Sequence, residues 1–199
     1  MATATTTTLK TYFNTGDKPT QQNFFDLLES YLNLTDGGVV TGAITTASVT
    51  KGLVTLTATD AITAAEHAGR TLVMADSGGD TDCVFTLPAA TGTGNVYHFI
   101  VGVVNTSTNG YKIQVADATD TIDGSLIAID DDGAGNAASV KHWPTVAATD
   151  TIQLDGDTTG GAVIGDWICL TDIAANQWAV SAQVNTSGTI ATPFSAAVS

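Results

Sequence analysis

The chain has 199 residues, enough for one substantial domain with an appendage, and six basic residues against twenty acidic ones give it a formal charge of −14. Lys10, Lys18, Lys51, Arg70, Lys112 and Lys141 are scattered along the sequence, so no basic cluster exists to engage nucleic-acid phosphates or an anionic membrane, and no run approaches the roughly 20 apolar residues of a membrane span. Nearly all the acidity is aspartate, with glutamate only at Glu29 and Glu66, a skew toward turn formers that predicts a loop-rich β protein with a solvated, self-repelling acidic surface.

Met1 to about Lys10 is Thr-rich, has no residues for a core, and reads as an extended arm. "MATATTTTLKTYF" lacks a basic start followed by an apolar run, which argues against a secretory signal and for synthesis and folding in a cytoplasm. Gly16-Asp17-Lys18-Pro19 predicts a turn and Thr20 an N-cap, after which Phe24, Phe25, Leu27, Leu28, Tyr31 and Leu32 fall at helical spacing until "NLTDGG" ends the pattern. A helix of about twelve residues is marginal by itself. Burying each large side chain contributes about 1.5–3 kcal/mol, while ordering costs about 1.5 kcal/mol per residue. The two sums are close, so the aromatic face calls for a partner: a second copy of the helix or a foreign surface.

Three segments follow from this pattern: an N-terminal arm and helix over residues 1–36, a linker or exposed hairpin over 37–57, and a β domain over 58–199. The last carries short apolar runs such as "RTLVM", "CVFTL", "VYHFIVGVV", "GYKIQV", "DTIQL", "DWICLT" and "QWAVSA", separated by Asp/Gly/Asn/Thr turns every eight to twelve residues or so. The expected fold is mainly β, a jelly-roll-like or β-sandwich domain behind a short arm and one helix. Tyr111, Ile113 and Val115 alternate with Lys112 and Gln114, which makes one face wet. "VYHFIVGVV" is apolar on both faces and predicts a central strand covered by the opposite sheet on one side and by a neighbouring subunit on the other. The absence of a long period argues against a solenoid.

Catalytic signals do not converge. His67, His98 and His142 have no metal-ligand spacing, and the sequence contains no GxSxG elbow, Walker loop or dinucleotide-binding helix start. The glycines of "GTGNVYHF" lead into a strand and predict a turn. The expectation is a non-enzyme without a cofactor. Asp130, Asp131 and Asp132 ahead of Gly133 are the best metal feature, a set of carboxylates for Ca²⁺, although the spacing is not that of an EF-hand and an acidic hairpin tip explains it equally well. Cys83 and Cys169 sit in strand-like runs and read as buried, reduced thiols. Trp143, Trp167 and Trp178 have the residue type for a glycan groove, but their strand settings favour core packing, with Trp143, just before Pro144, the one most exposed.

"YFNTGDKPTQQNFFDLLESYLNL" resembles an N-terminal segment of virion structural proteins of tailed bacteriophages, in which a Gly-x-x-Pro-Thr turn precedes an aromatic helix at the base of a trimeric β assembly. "FTLPAATGTGNVYHFIVG" and "WAVSAQVNTSGTIATPFSAAV" resemble the β domain of such proteins, which include head decoration (cement) proteins and tail-fibre or spike components. The resemblance implies a homotrimer on the outer surface of the capsid, made in the bacterial host cytoplasm, with the major capsid protein as partner and no nucleic acid or membrane. Aromatic anchors typically carry such interfaces, which singles out Tyr12, Phe13, Phe24, Phe25, Leu28 and Tyr31. The lack of a long repetitive shaft favours head over tail. The alternative is a tail-fibre or receptor-binding module with a glycan-binding β domain.

Overall fold

The computed structural model describes residues 6–16, 18–30, 52–76, 82–104, 110–130, 139–187 and 189–198. The chain divides into two compact units, Met1–Val49 and Thr50–Ser199.

In the first unit, α1 (Thr6–Tyr12) and α2 (Gln21–Ser30) are both α-helical. Thr20 caps α2 reciprocally: its hydroxyl accepts from the Asn23 amide at 3.3 Å, and the Asn23 side-chain oxygen accepts from the Thr20 amide at 2.8 Å. This is a capping box with Asn in the third helical position, and it satisfies two amides that a helix start otherwise leaves open. The extended arm and single helix expected from the sequence are corrected by α1. Threonine is a poor helix former, but packing overrides weak propensity. The Phe13 and Phe24 rings meet edge to face at 5.5 Å, and Tyr12 Oη donates to Asp26 at 3.3 Å. Within α1, the Thr11 hydroxyl donates back to the Thr8 carbonyl at 2.7 Å. Of the expected linker or hairpin, residues 37–51 lie outside the described ones, and Leu53–Leu56 form the first strand of the second unit.

The second unit holds β1 (Leu53–Leu56), β2 (Asp60–Ala61), α3 (Ala64–His67), β3 (Thr71–Met74), β4 (Cys83–Thr86), β5 (Val96–Val101), β6 (Tyr111–Gln114), β7 (Thr121–Asp130), β8 (Ser139–Pro144), β9 (Thr151–Leu154), β10 (Trp167–Ala174), β11 (Gln177–Thr186) and β12 (Phe194–Ser195). They form a seven-stranded sheet, β1-β3-β5-β10-β11-β7-β8, and a five-stranded sheet, β12-β9-β6-β4-β2. The two-sheet β arrangement agrees with the sequence reading.

The winding was not foreseen. From β1 to β6 successive strands alternate between the sheets, and each pairs in parallel with the strand two places on: Leu53 with Thr71, Thr71 with His98, Asp60 with Phe85, and Cys83 with Tyr111. This first part is therefore a short parallel coil, which corrects the expectation against a solenoid drawn from the missing period. Its connections differ in length, one of them holding α3, so no sequence period accompanies it. β9 then pairs antiparallel with β6, and β10 joins β5 to β11 by antiparallel pairing, whereas β11 runs parallel to β7 from Gln177 opposite Thr121 to Thr186 opposite Asp130.

Alternation places one side of most strands in a single core between the sheets, whereas β2 and β8 have no fully buried residue. Phe85 of β4 lies 5.9 Å from Phe99 of β5 and 6.1 Å from Tyr111 of β6. Tyr111, Ile113 and Val115 are buried as the alternation predicts. The Tyr111 hydroxyl ties the sheets together by donating to the carbonyls of Met74 and Val103 at 3.1 and 2.8 Å, and burial pushes its pKa up to about 12. Gly124 has φ +139° where β7 passes β11, and a Cβ there would sit 2.1 Å from the Val180 carbonyl oxygen, so only glycine fits.

Candidate functional site

The N-terminal unit gathers most of the predicted interface residues. Phe13, Phe24, Phe25 and Leu28 are 39, 49, 46 and 69 % exposed, and Tyr12 is half-buried beside Asp26. Tyr31 lies outside the described residues. Loss of hydration and the Asp26 carboxylate both raise the Tyr12 pKa, so the phenol stays protonated as donor. These two short helices meet at the Phe13–Phe24 ring pair and the Tyr12–Asp26 hydrogen bond, and several of their large apolar side chains are exposed.

A second surface lies on the outer face of the seven-stranded sheet. Tyr97, Phe99 and Val101 of β5 point into the core, so Val96, His98 and Ile100 point outward. Antiparallel pairing puts Trp167 opposite Ile100 and Cys169 opposite His98. With Gly69, Arg70, Thr71 and Gly165 at the margins, these side chains line a cup of about 470 Å³. The His98 and Trp167 rings are 6.0 Å apart at 54°. The two-sided apolarity of "VYHFIV" pointed to this face, and the same pattern in "DWICLT" was the signal for the β10 half, which sequence reasoning assigned to the core.

No family model, curated protein or solved structure matches the chain.

The remaining sequence candidates fall into structural roles. The acidic surface expected from the charge is corrected in part, since Asp120, Asp150, Asp166 and Asp172 are buried and used as acceptors for loop backbone. Asp172 accepts from the amides of Thr91, Gly92 and Thr93 at 3.0, 2.6 and 3.0 Å and from the Thr93 hydroxyl at 2.6 Å. Burial alone would raise this carboxyl, but the hydrogen bonds from Thr93, Gly92 and Thr91 outweigh it and hold the pKa below the usual range. Asp155 closes its own turn through Asp157, Thr158 and Thr159 and is likewise lowered against the cost of burial. For Asp166 burial wins: the carboxyl is raised despite bonds from the Asn185 side chain and amide and the Gly161 amide. Asp150 holds the C-terminal segment by accepting from the amides of Ala197 and Val198. Aspartate suits these positions because its short carboxylate reaches several consecutive amides.

Trp178 is fully buried, with Tyr97 edge to face at 5.6 Å. Trp143, expected to be the most exposed, is half-buried against the core, with Lys141 Nζ 5.5 Å from its ring centre. Trp167 is the one that leaves the core, for the cup. His67 is buried, with Nδ1 accepting from the Thr63 amide at 3.0 Å and Nε2 3.7 Å from Asp60. It serves α3: Thr63 is the N-cap, its hydroxyl accepting from the Glu66 amide at 3.3 Å, and His67 takes the Thr63 amide that a capping-box glutamate would otherwise accept from. Cys83 is buried, and burial followed by the charge of Asp76 pushes its thiol up to about 11. Cys169 is half-buried on the outer face, which corrects the expectation of two core thiols, and the two are not bonded to each other. Asp130 ends β7, whereas Asp131 and Asp132 lie outside the described residues. Among the described residues no three His, Cys, Asp or Glu side chains group as metal ligands, and no helix is long and apolar enough to cross a membrane.

Proposed function

We propose that the protein is a structural component of a tailed-bacteriophage virion: a capsid decoration protein that acts as a homotrimer, bridges major capsid subunits and has no catalytic role. The observation that carries this reading is the exposed aromatic face of the N-terminal helix pair. Phe24, Phe25 and Leu28 project from a helix of ten residues, a length at which helices are marginal without tertiary cover. Covering them with another chain both stabilises the helix and supplies buried aromatic anchors for attachment. The resemblance of "NTGDKPTQQNFFDLLESYLNL" to virion segments gives the partner its class. β-Sandwich is the finer description of the body that the helices attach.

The function is mechanical. Each decoration protein adds buried area across a subunit boundary, so the shell resists the pressure of packaged DNA. Particles lacking the protein are expected to lose DNA at lower temperature or on milder osmotic shock than complete ones. Equal resistance of both would refute the cement role. The alternative, a glycan-binding tail module, draws less support from Trp143, which is half-buried against the core.

A further inference from the structure

We propose that the cup on the outer face of the seven-stranded sheet binds a small organic acid: a flat or chain-like apolar body bearing one carboxylate. The proposal is independent of the attachment reading, which rests on the N-terminal helices.

Three observations define the ligand. First, a cup of about 470 Å³ is in the range of cavities that take small molecules. Gly69 and Gly165 are in its lining, and an added Cβ at either would meet no atom within 4 Å. Second, its walls are Val96, Ile100 and the Trp167 ring with His98 beside it, a surface that fits an apolar body stacked against an aromatic face. Third, Arg70 stands in the lining. It is the only arginine of a chain with twenty acidic residues, yet among the described residues it forms no ion pair. Arg70 is exposed and has no carboxylate partner among the described residues, so its guanidinium, beside an apolar wall, is available to a carboxylate on an incoming molecule, which it can bind through two parallel hydrogen bonds. A sugar fits less well. Its many hydroxyls need partners, and among the described residues the lining offers as polar groups only Arg70, Thr71, His98, the Trp167 indole N–H and the Cys169 thiol, with no carboxylate or amide side chain.

The test uses the full chain with naphthalene-2-carboxylate and its neutral carboxamide, titrated by calorimetry. Saturable binding of both is expected, the carboxylate about tenfold tighter, as the loss of one charge-assisted pair implies. Arg70→Gln is expected to abolish that preference while leaving carboxamide affinity unchanged. Ile100→Trp is expected to fill the cup and eliminate both, with Thr71→Trp as a second filling variant if the first does not fold. The proposal is overturned if neither probe saturates at millimolar concentration, or if Arg70→Gln keeps the carboxylate preference. It is also overturned if Ile100→Trp dissociates an oligomer in sedimentation, because a second copy then covers the cup. Phe24→Ala with Leu28→Ala should leave probe binding intact, which separates this proposal from the attachment reading.

Discussion

Replacing Asp172 with alanine removes the acceptor for four hydrogen bonds that hold the loop between β4 and β5: the amides of Thr91, Gly92 and Thr93 and the Thr93 hydroxyl, all within 3.0 Å. A buried donor left unsatisfied costs about 1–3 kcal/mol. The loop residues Thr91 to Gly94 are exposed, so water recovers part of that loss, and the expected destabilisation is about 2–4 kcal/mol, a large share of a domain's usual 5–15 kcal/mol. Urea unfolding at neutral pH reads it directly as a lowered midpoint with unchanged slope. The pH dependence gives an independent check through Asp172→Asn. The folded carboxyl titrates below its unfolded value of about 3.9, so its contribution is fully present above that value and is lost as the pH falls through the folded pKa. Asp155 has the same sign and Asp166, whose pKa is raised, the opposite, so the difference between wild type and Asp172→Asn isolates the one group. The variant should differ from wild type most at pH 5–7 and converge with it in acid. A destabilisation below about 1 kcal/mol, or a constant difference down to the lowest pH, would refute the view that this aspartate organises the loop.

Gly124→Ala should destabilise the β domain by more than 2 kcal/mol or so, because its Cβ would meet the Val180 carbonyl at 2.1 Å and the φ of +139° is strained for alanine; a thermal midpoint within a degree or two of wild type would contradict that geometry. Phe24→Ala with Leu28→Ala should abolish attachment to capsids while the melting of the β domain stays unchanged, and retained attachment would mean that the interface lies elsewhere. Cys83, buried and titrating near 11, should stay unlabelled by a maleimide at pH 8 until the protein unfolds; labelling in the folded state, read by peptide mass, would show that the core is open there.

Alternation and turn chemistry carried much of the fold into the sequence. The inward set Tyr111, Ile113 and Val115 was readable because its partners Lys112 and Gln114 are polar, and Thr20 was readable as a cap because of its place before an aromatic periodicity. Parallel pairing was not readable: Leu53 with Thr71 and Thr71 with His98 depend on how unequal connections return the chain, and no local pattern encodes that. Helix α1 was hidden because threonine disguises a helix that exists through Phe13 and Tyr12 meeting α2. The cup was half visible. "VYHFIV" showed two apolar faces, but Trp167 looked like a core residue because periodicity alone does not say which face of a strand turns outward. The aspartates looked like solvated surface because composition counts charges without showing which of them accept backbone amides.

Labelling the protein on intact virions and locating the label by electron microscopy tests the central claim most directly. The account predicts label over the head, at positions repeated across the capsid lattice, and its loss with Phe24→Ala and Leu28→Ala. Label confined to the tail would contradict it.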